Sequence, residues 1–380
     1  MELARRSLIA LTTGTLGLGL LAGTAATSRP AAAAPSGASA PAAATAVARA
    51  VPDPTTATLR RLARHTKLEI GTAVDTTALR NDATYRRLVA TEFSSVTPEN
   101  VMKWEVVHPE RGRYDFSQAD RLVAFARQHG QKVRGHTLLW HNQLPAWLTS
   151  GTWTRAQLRS ILREHILTVA GHFRGKVWAW DVVNEAFNED GTLRDTIWLR
   201  TIGPDYIADA FRWAHQADPK AILFYNDYNV EGINAKSTAV YNLLRQLRRQ
   251  HVPVDGFGAQ GHLSTRYPFP QDVLQNLRRF GRLGLATAIT EADVRHDLPV
   301  DPAEVNAQAE GYSLMLESCL LEPSAISFTV WGFTDRYQWV PQTFPGEGEA
   351  AIFDANYRPK PAFNSMRRDL ALAPHRGHRG

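Results

Sequence analysis

A single cysteine, Cys319, stands in the whole sequence, so no intrachain disulfide can form and stability has to come from a packed core. It falls in GYSLMLESCLLEP, an apolar helix-like stretch, where a small buried side chain is expected and not a reactive thiol. Long uninterrupted apolar runs are missing, which argues against a membrane anchor. The net charge of +6 forms no dense Lys/Arg stripe, so nucleic acid is not an expected partner. Neither an internal repeat of the solenoid kind nor a break in composition marks a second folded domain. What is present is 44% hydrophobic and 21% charged residues in a 380-residue chain, which suits one large enzyme core.

The first fifty residues are a different material. MELARRSLIALTTGTLGLGLLAGTAA has a basic start and an apolar run diluted by Gly and Thr, and AAAAPSGASAPAAATA follows with small residues that suit cleavage. An export signal is expected over 1–34 and an Ala/Pro-rich disordered connector over 35–52. The Arg5–Arg6 pair fits the twin-arginine route, and also an ordinary secretory leader. The expected mature protein is a secreted, extracellular monomer without a membrane anchor, with its catalytic domain over 53–372 and a short disordered tail over 373–380.

From about Pro52 onward, short β-branched runs alternate with longer amphipathic ones. EIGTAV, FSSVTPEN, KVRGHTLLW, VWAWDVVNE, AILFYNDYN, DGFGAQGH, LATAITEAD and AISFTVWGF have the character of strands. Between them lie stretches with helical spacing, such as SQADRLVAFARQHG and RAQLRSILREHILTVAGHF. Sustained alternation predicts a parallel sheet with crossover helices. Eight units predict an α/β fold of one domain, the (β/α)8 TIM barrel, in preference to an open doubly wound sheet.

Barrels of this kind build their active sites at the C-terminal ends of the strands. The polar residues here collect at those ends. The second strand ends in Glu99 and Asn100, with Lys103 a turn later; the third ends in His136, followed by Trp140, His141 and Gln143. The fourth ends in Asn184–Glu185, the fifth in Asn226, Asp227 and Tyr228, and the sixth in Gln260 and His262. Glu291 and Asp293 close the seventh, and Trp331 the eighth. A merely solvated rim would show scattered Lys, Ser and Asp. Two glutamates on different strands suit carbohydrate cleavage, in which one carboxylic acid protonates the leaving oxygen and a second carboxylate attacks or activates water. Amides and imidazoles can bond sugar hydroxyls, and indoles can cover the apolar faces of sugar rings. That chemistry requires neither cofactor nor metal.

TPENVMKW, RGHTLLWHNQLPAW, WDVVNEA, ITEAD and WGFTDRYQW resemble the signature segments of family 10 glycoside hydrolases, the endo-β-1,4-xylanases. The resemblance is collinear from about Thr58 to Leu370. It implies a retaining mechanism, with xylan and xylo-oligosaccharides as partners. Glu185 in VVNEA then matches the acid/base and Glu291 in ITEAD the nucleophile. Ala292 departs from the larger apolar residue of many relatives and leaves the carboxylate untouched. By the same resemblance Asn184 bonds the hydroxyl beside the reacting carbon, His262 and Asp293 support Glu291, and Gln260 contacts Glu185 or substrate. His136, Trp140 and Gln143 match the lining around the reacting sugar and its neighbour. Glu99, Asn100 and Lys103 match the grip on the next sugar, Trp331 and Trp339 the aromatic walls of the glycone side, and Tyr228 the leaving-group side.

Other residues have plainer expectations. Trp104, Trp147, Trp178, Trp180 and Trp213 are expected to pack; Glu189 and Asp190 to be solvated. His65, His108, His129, His165, His172 and His215 are expected at the surface or as caps, while His141 could be a ligand contact or a structural hydrogen-bonder. GFGAQG spells the dinucleotide pattern GxGxxG, but HLSTRYPFP follows it where a helix would have to start. A metal-dependent barrel hydrolase needs convergent histidines, typically an early His-x-His, and EIGTAVD supplies none. A barrel that only bound sugar would not need both Glu185 and Glu291.

Overall fold

Eight parallel strands form at the eight β-branched runs: β1 Glu69–Val74, β2 Ser95–Pro98, β3 Lys132–Leu139, β4 Ala179–Asn184, β5 Ile222–Asp227, β6 Gly256–Ala259, β7 Ala286–Asp297 and β8 Ala325–Val330. Each pairs with the next, and β8 pairs with β1, so the barrel closes. Helices such as Ser117–Gln128 and Arg155–His172 make the crossovers that parallel pairing demands. The computed structural model describes Asp53 and residues 55–375; the expected export signal and connector lie outside the described residues. At the other end, where the tail was expected, His65 donates to the Ala373 carbonyl at 2.9 Å. No helix among the described residues is long and apolar enough to cross a membrane.

The inside of the barrel is layered. Ala179, Phe224 and Ala288 form an apolar floor with Trp178 and Ile326 packed against it. The Arg134 guanidinium lies 4.2 Å over the Phe224 ring and pairs with Asp181, both side chains buried. Above this pair come the strand ends. The glycines of GFGAQG serve that packing: a Cβ on Gly258 would sit 2.5 Å from Asn226 Oδ1, and one on Gly256 the same distance from Phe224. The pattern arises from close approach inside a barrel, with no nucleotide involved.

Two local differences from the sequence expectations have physical causes. β7 continues past ITEAD to Asp297, because VRHD keeps alternating buried and half-buried positions with period two. A short strand, His262–Ser264, runs beside this extension and sets His262 opposite Asp293. His108 and His165, expected at the surface or as caps, are instead 2% and 0% exposed. His165 lies four residues from both Ile161 and Val169 on the buried face of its helix, and Trp104 stacks on it at 3.6 Å between centroids. Burial pulls His108 down to about 4 and His165 well below the usual imidazole range.

Candidate active site

The strand ends enclose a cleft of about 770 Å3, lined by the residues expected there except Asp293, which stands behind His262, and Asn226 and Asp227, which are fully buried beneath it. Glu185 follows the last residue of β4 at a positive φ of 58°, and its N–H bonds the Asn226 carbonyl at 2.9 Å. That backbone contact aims the carboxylate inward, 9% exposed. Trp140 Nε1 donates to Oε2 at 2.8 Å, and Gln260 Nε2 and Asn184 Nδ2 each donate to Oε1 at 3.0 Å. Three neutral donors hold it.

Glu291, on β7, is 4% exposed and has a different setting. Asn226 Nδ2 donates to Oε1 at 2.8 Å, and His262 Nε2 lies 3.2 Å from Oε2. His262 Nδ1 is 3.0 Å from Asp293 Oδ2, off the line of a good hydrogen bond, and Trp339 Nε1 donates to that oxygen at 2.8 Å. Burial alone would favour neutral His262, but the Asp293 and Glu291 carboxylates outweigh it and push the ring up to about 10. Burial likewise pushes Glu291 up; His136 and His262 more than offset this and hold it below the usual carboxylate range.

A buried chain of charge supports that side. His136 Nδ1 is 3.0 Å from Asp181 Oδ2 and 3.8 Å from Glu291 Oε1, while Arg134 holds Asp181 from below. Among the described residues, His136, Asp181 and Glu291 are the one group that gathers three ligand atoms, all within 4.8 Å. Arg134 already occupies the Asp181 carboxylate, so these residues form an ion-pair chain in which a cation would compete with a fixed guanidinium. Asn226 Nδ2 also donates to Asn184 Oδ1 at 2.9 Å, so one amide pair links the surroundings of both glutamates.

The flanks are as specific. Lys103 Nζ donates to Asn100 Oδ1 at 3.0 Å and lies 5.0 Å over Trp140. Burial, then Asp75, raises Glu99 to about 7. Gln143 is also at the cleft but reaches Glu105 Oε1 at 3.0 Å. Trp331 stands edge-on to His136, 5.1 Å between centroids. His141, left open by sequence, lines the cleft, and burial with the Arg194 and Lys236 charges pulls it down to about 4. Glu189 is solvated as expected, 59% exposed, and also bonds Lys236 and Asn229.

Several lining residues were missed, among them Arg194, Asn229, Arg295 and Phe344. Arg194, Asn229 and Phe344 lie in loops whose return to the cleft has no periodic signal, and Arg295 lies on the extension of β7 past ITEAD. Arg134 and Asp181 could have been found, since opposite charges in the middle of two adjacent greasy runs ask for a partner.

Two buried carboxylates at strand ends, one held by neutral donors and one by charged neighbours, define a glycoside hydrolase on a (β/α)8 barrel. The sequence profile of Glycosyl hydrolase family 10 matches residues 58–369, and the chain belongs to that family. It is 47% identical over 312 residues to endo-1,4-beta-xylanase B of Thermotoga neapolitana, covering 81% of this chain and 90% of that one. An endo-1,4-beta-xylanase of Agaricus bisporus is 43% identical over 302 residues, 79% of this chain and 90% of its own. Xylanase 10B from Thermotoga petrophila RKU-1, solved with xylobiose, superposes with a TM-score of 0.80 at 46% identity, covering 82% of this chain and 97% of that one.

Proposed function

We propose that this chain is a secreted endo-1,4-β-xylanase that cuts internal bonds of xylan by double displacement, with Glu291 as nucleophile and Glu185 as acid/base. The observation that carries the reading is the asymmetry around the two glutamates. A nucleophile must be charged when substrate arrives, and His262 and His136 favour that state in Glu291. Glu185 gives its proton to the leaving oxygen and later takes one from water. Neutral donors suit a group that changes charge twice.

Substrate follows from the relatives, which are named endo-1,4-beta-xylanases, one of them holding xylobiose. The indoles of Trp140, Trp331 and Trp339 and the polar set Glu99, Asn100 and Lys103 suit a sugar chain laid across the cleft. Asn184 is assigned to the hydroxyl beside the reacting carbon and Tyr228 to the leaving-group side. Chromatography of products from xylan, carboxymethylcellulose and short xylo-oligosaccharides tests the assignment. A ladder of short xylo-oligosaccharides should come early from xylan, with far less product from cellulose. Release of xylose alone from the first minutes would overturn the endo assignment. Secretion rests on the leader composition, and N-terminal sequencing of protein from culture medium tests it.

A further inference from the structure

We propose that Lys236 is a positioning residue for the leaving-group side of the cleft, holding Tyr228 as the platform for the departing sugar; the proposal rests on the xylanase reading above. Lys236 lies in the first turn of helix Ala235–Arg249 and its side chain is 1% exposed. The ammonium is 3.0 Å from Asp227 Oδ1 at the end of β5 and 3.0 Å from Glu189 Oε1 in the loop after Glu185. It also lies 3.5 Å from the centroid of the Tyr228 ring. An ammonium so placed is attracted by the ring's quadrupole and occupies one face. A sugar would then meet Tyr228 from the cleft, which the residue lines.

The surrounding bonds fix the ring in its plane. Arg194 Nη2 donates to the Tyr228 hydroxyl at 2.7 Å, and its Nε donates to the Glu185 carbonyl at 3.1 Å. Asn229 Nδ2 donates to Glu189 Oε2 at 3.1 Å. Asp227 Oδ2 accepts the Tyr225 hydroxyl at 2.6 Å, and the Tyr225 oxygen accepts the Ala186 N–H at 3.1 Å. Lys236 thereby ties the loop carrying Glu185 to the side chain beside it. An apolar side chain would fill the same volume without desolvating a charge. The geometry therefore points to an electrostatic task.

The test compares Lys236→Met, Tyr228→Ala and the double variant. Xylotetraose must release a sugar, whereas an aryl xylobioside with an acidic phenol leaves without sugar contacts. Lys236→Met should lose about tenfold in kcat/KM on xylotetraose and less than about twofold on the aryl substrate, the scale of one desolvated cation–π contact. The double variant should lose no more on xylotetraose than Tyr228→Ala alone, because the lysine acts through the tyrosine. Equal losses on both substrates, or losses that multiply in the double variant, would overturn the proposal. If Lys236→Met does not fold, Glu189→Ala replaces it, since Glu189 is 59% exposed and the buried Lys236–Asp227 pair survives. It should show the same substrate pattern at about threefold, with an unchanged xylotetraose rate counting against the idea. A wild-type enzyme inactive on xylotetraose but active on another polysaccharide would instead overturn the xylanase reading, and the proposal with it.

Discussion

The two halves of the catalytic pair hang from one amide bridge, Asn184 to Asn226, and yet sit in opposite surroundings. Beside Glu291 stand His262 and His136, with Asp293, Asp181 and Arg134 behind them. Beside Glu185 stand an indole and two amides. Charged neighbours fix one protonation state, because losing it strands their own charges in a buried site. Neutral donors penalise a change of state far less. Under the proposed roles, that difference suits Glu291 to meeting the substrate charged and Glu185 to exchanging a proton.

The largest expected effect breaks the pair apart. Glu291→Ala should lose roughly 10^4-fold or more on every substrate, since no covalent intermediate can form. Glu185→Ala should lose roughly 10^2- to 10^4-fold on xylan, the scale of general acid–base catalysis. It should still release a very acidic phenol from an aryl xylobioside, then stall in the second step. Azide should speed that step and give the β-glycosyl azide with Glu185→Ala, but the α-azide with Glu291→Ala. NMR of the products reads the outcome, and the two anomers exchanged would mean that the roles are reversed.

A smaller effect tests the cages themselves. His262→Ala removes a positive neighbour from Glu291, so the nucleophile's pKa should rise and the acid limb of the pH–rate profile should move to higher pH. The rate should fall about 10- to 100-fold, the cost of a hydrogen bond to a charged group. Asp293→Ala should shift the limb in the same direction, because His262 then loses part of what holds it charged. Gln260→Ala should cost rate and leave the acid limb unmoved, because its amide donates to Glu185 and Asn184 and makes no side-chain bond to Glu291. An unmoved limb in both the His262 and Asp293 variants would mean that something else keeps Glu291 charged. Stability carries the same sign. His262 is raised to about 10 in the folded state, so its contribution is full below the ordinary imidazole range and is lost as pH rises through about 10. Thermal denaturation between pH 7 and 10 should show that decline in the wild type and less of it in His262→Ala.

The sequence made the strands legible because eight buried runs with β-branched residues have few other uses, and the barrel rule then located the site at their ends. Glu185 and Glu291 were visible as carboxylates where a greasy run stops. The cages were less visible. Asn226 was seen only as a strand-end residue, yet it alone bonds Glu291 and Asn184 together, a fact set by the register of β4, β5 and β7. Lys236 reads as an ordinary basic residue near a helix start, and only the fold reveals that it is buried among Asp227, Glu189 and Tyr228. His165 was misjudged although its i±4 spacing with Ile161 and Val169 put it on the apolar face. Polarity outweighed periodicity there, and periodicity was right.

Away from both cages, the flank proposed to hold the glycone offers a gentler perturbation. Glu99 is raised to about 7 by burial first and by Asp75 second. Asp75 accepts the N–H groups of Thr77 and Ala78 as a helix cap, a task Asn can keep. Asp75→Asn should therefore lower the Glu99 pKa and leave the helix in place. If ionised Glu99 grips a sugar hydroxyl, KM for xylo-oligosaccharides should rise as pH falls through about 7, and in the variant that rise should begin at lower pH. The change in KM at pH 6 should be about two- to threefold, less than one pKa unit of coupling. An identical KM–pH curve in the two proteins would remove Glu99 from the titrating grip and leave the charge contrast confined to the catalytic pair.

The smallest expected effect is none at all, and it bears on the comparison most directly. His136, Asp181 and Glu291 come close enough together to bind a cation, and such an ion would also hold Glu291 charged. The charged cage would then be a metal site, and the difference between the two glutamates would have another cause. Against this, the Arg134 Nε donates to both Asp181 oxygens at 3.1 Å, so a dication would have to sit beside a fixed guanidinium in a buried space. Extended treatment with EDTA should leave the rate on xylan and the acid limb where they were. Arg134→Met should destabilise the fold by about 3–5 kcal/mol, the cost of stranding one member of a buried pair, and denaturant unfolding measures it. Activity lost on chelation and restored by zinc would place a metal among these three residues and make Arg134 its competitor. Activity indifferent to chelation, with a sharp loss of stability in Arg134→Met, would assign the positive charge below Glu291 to the protein itself.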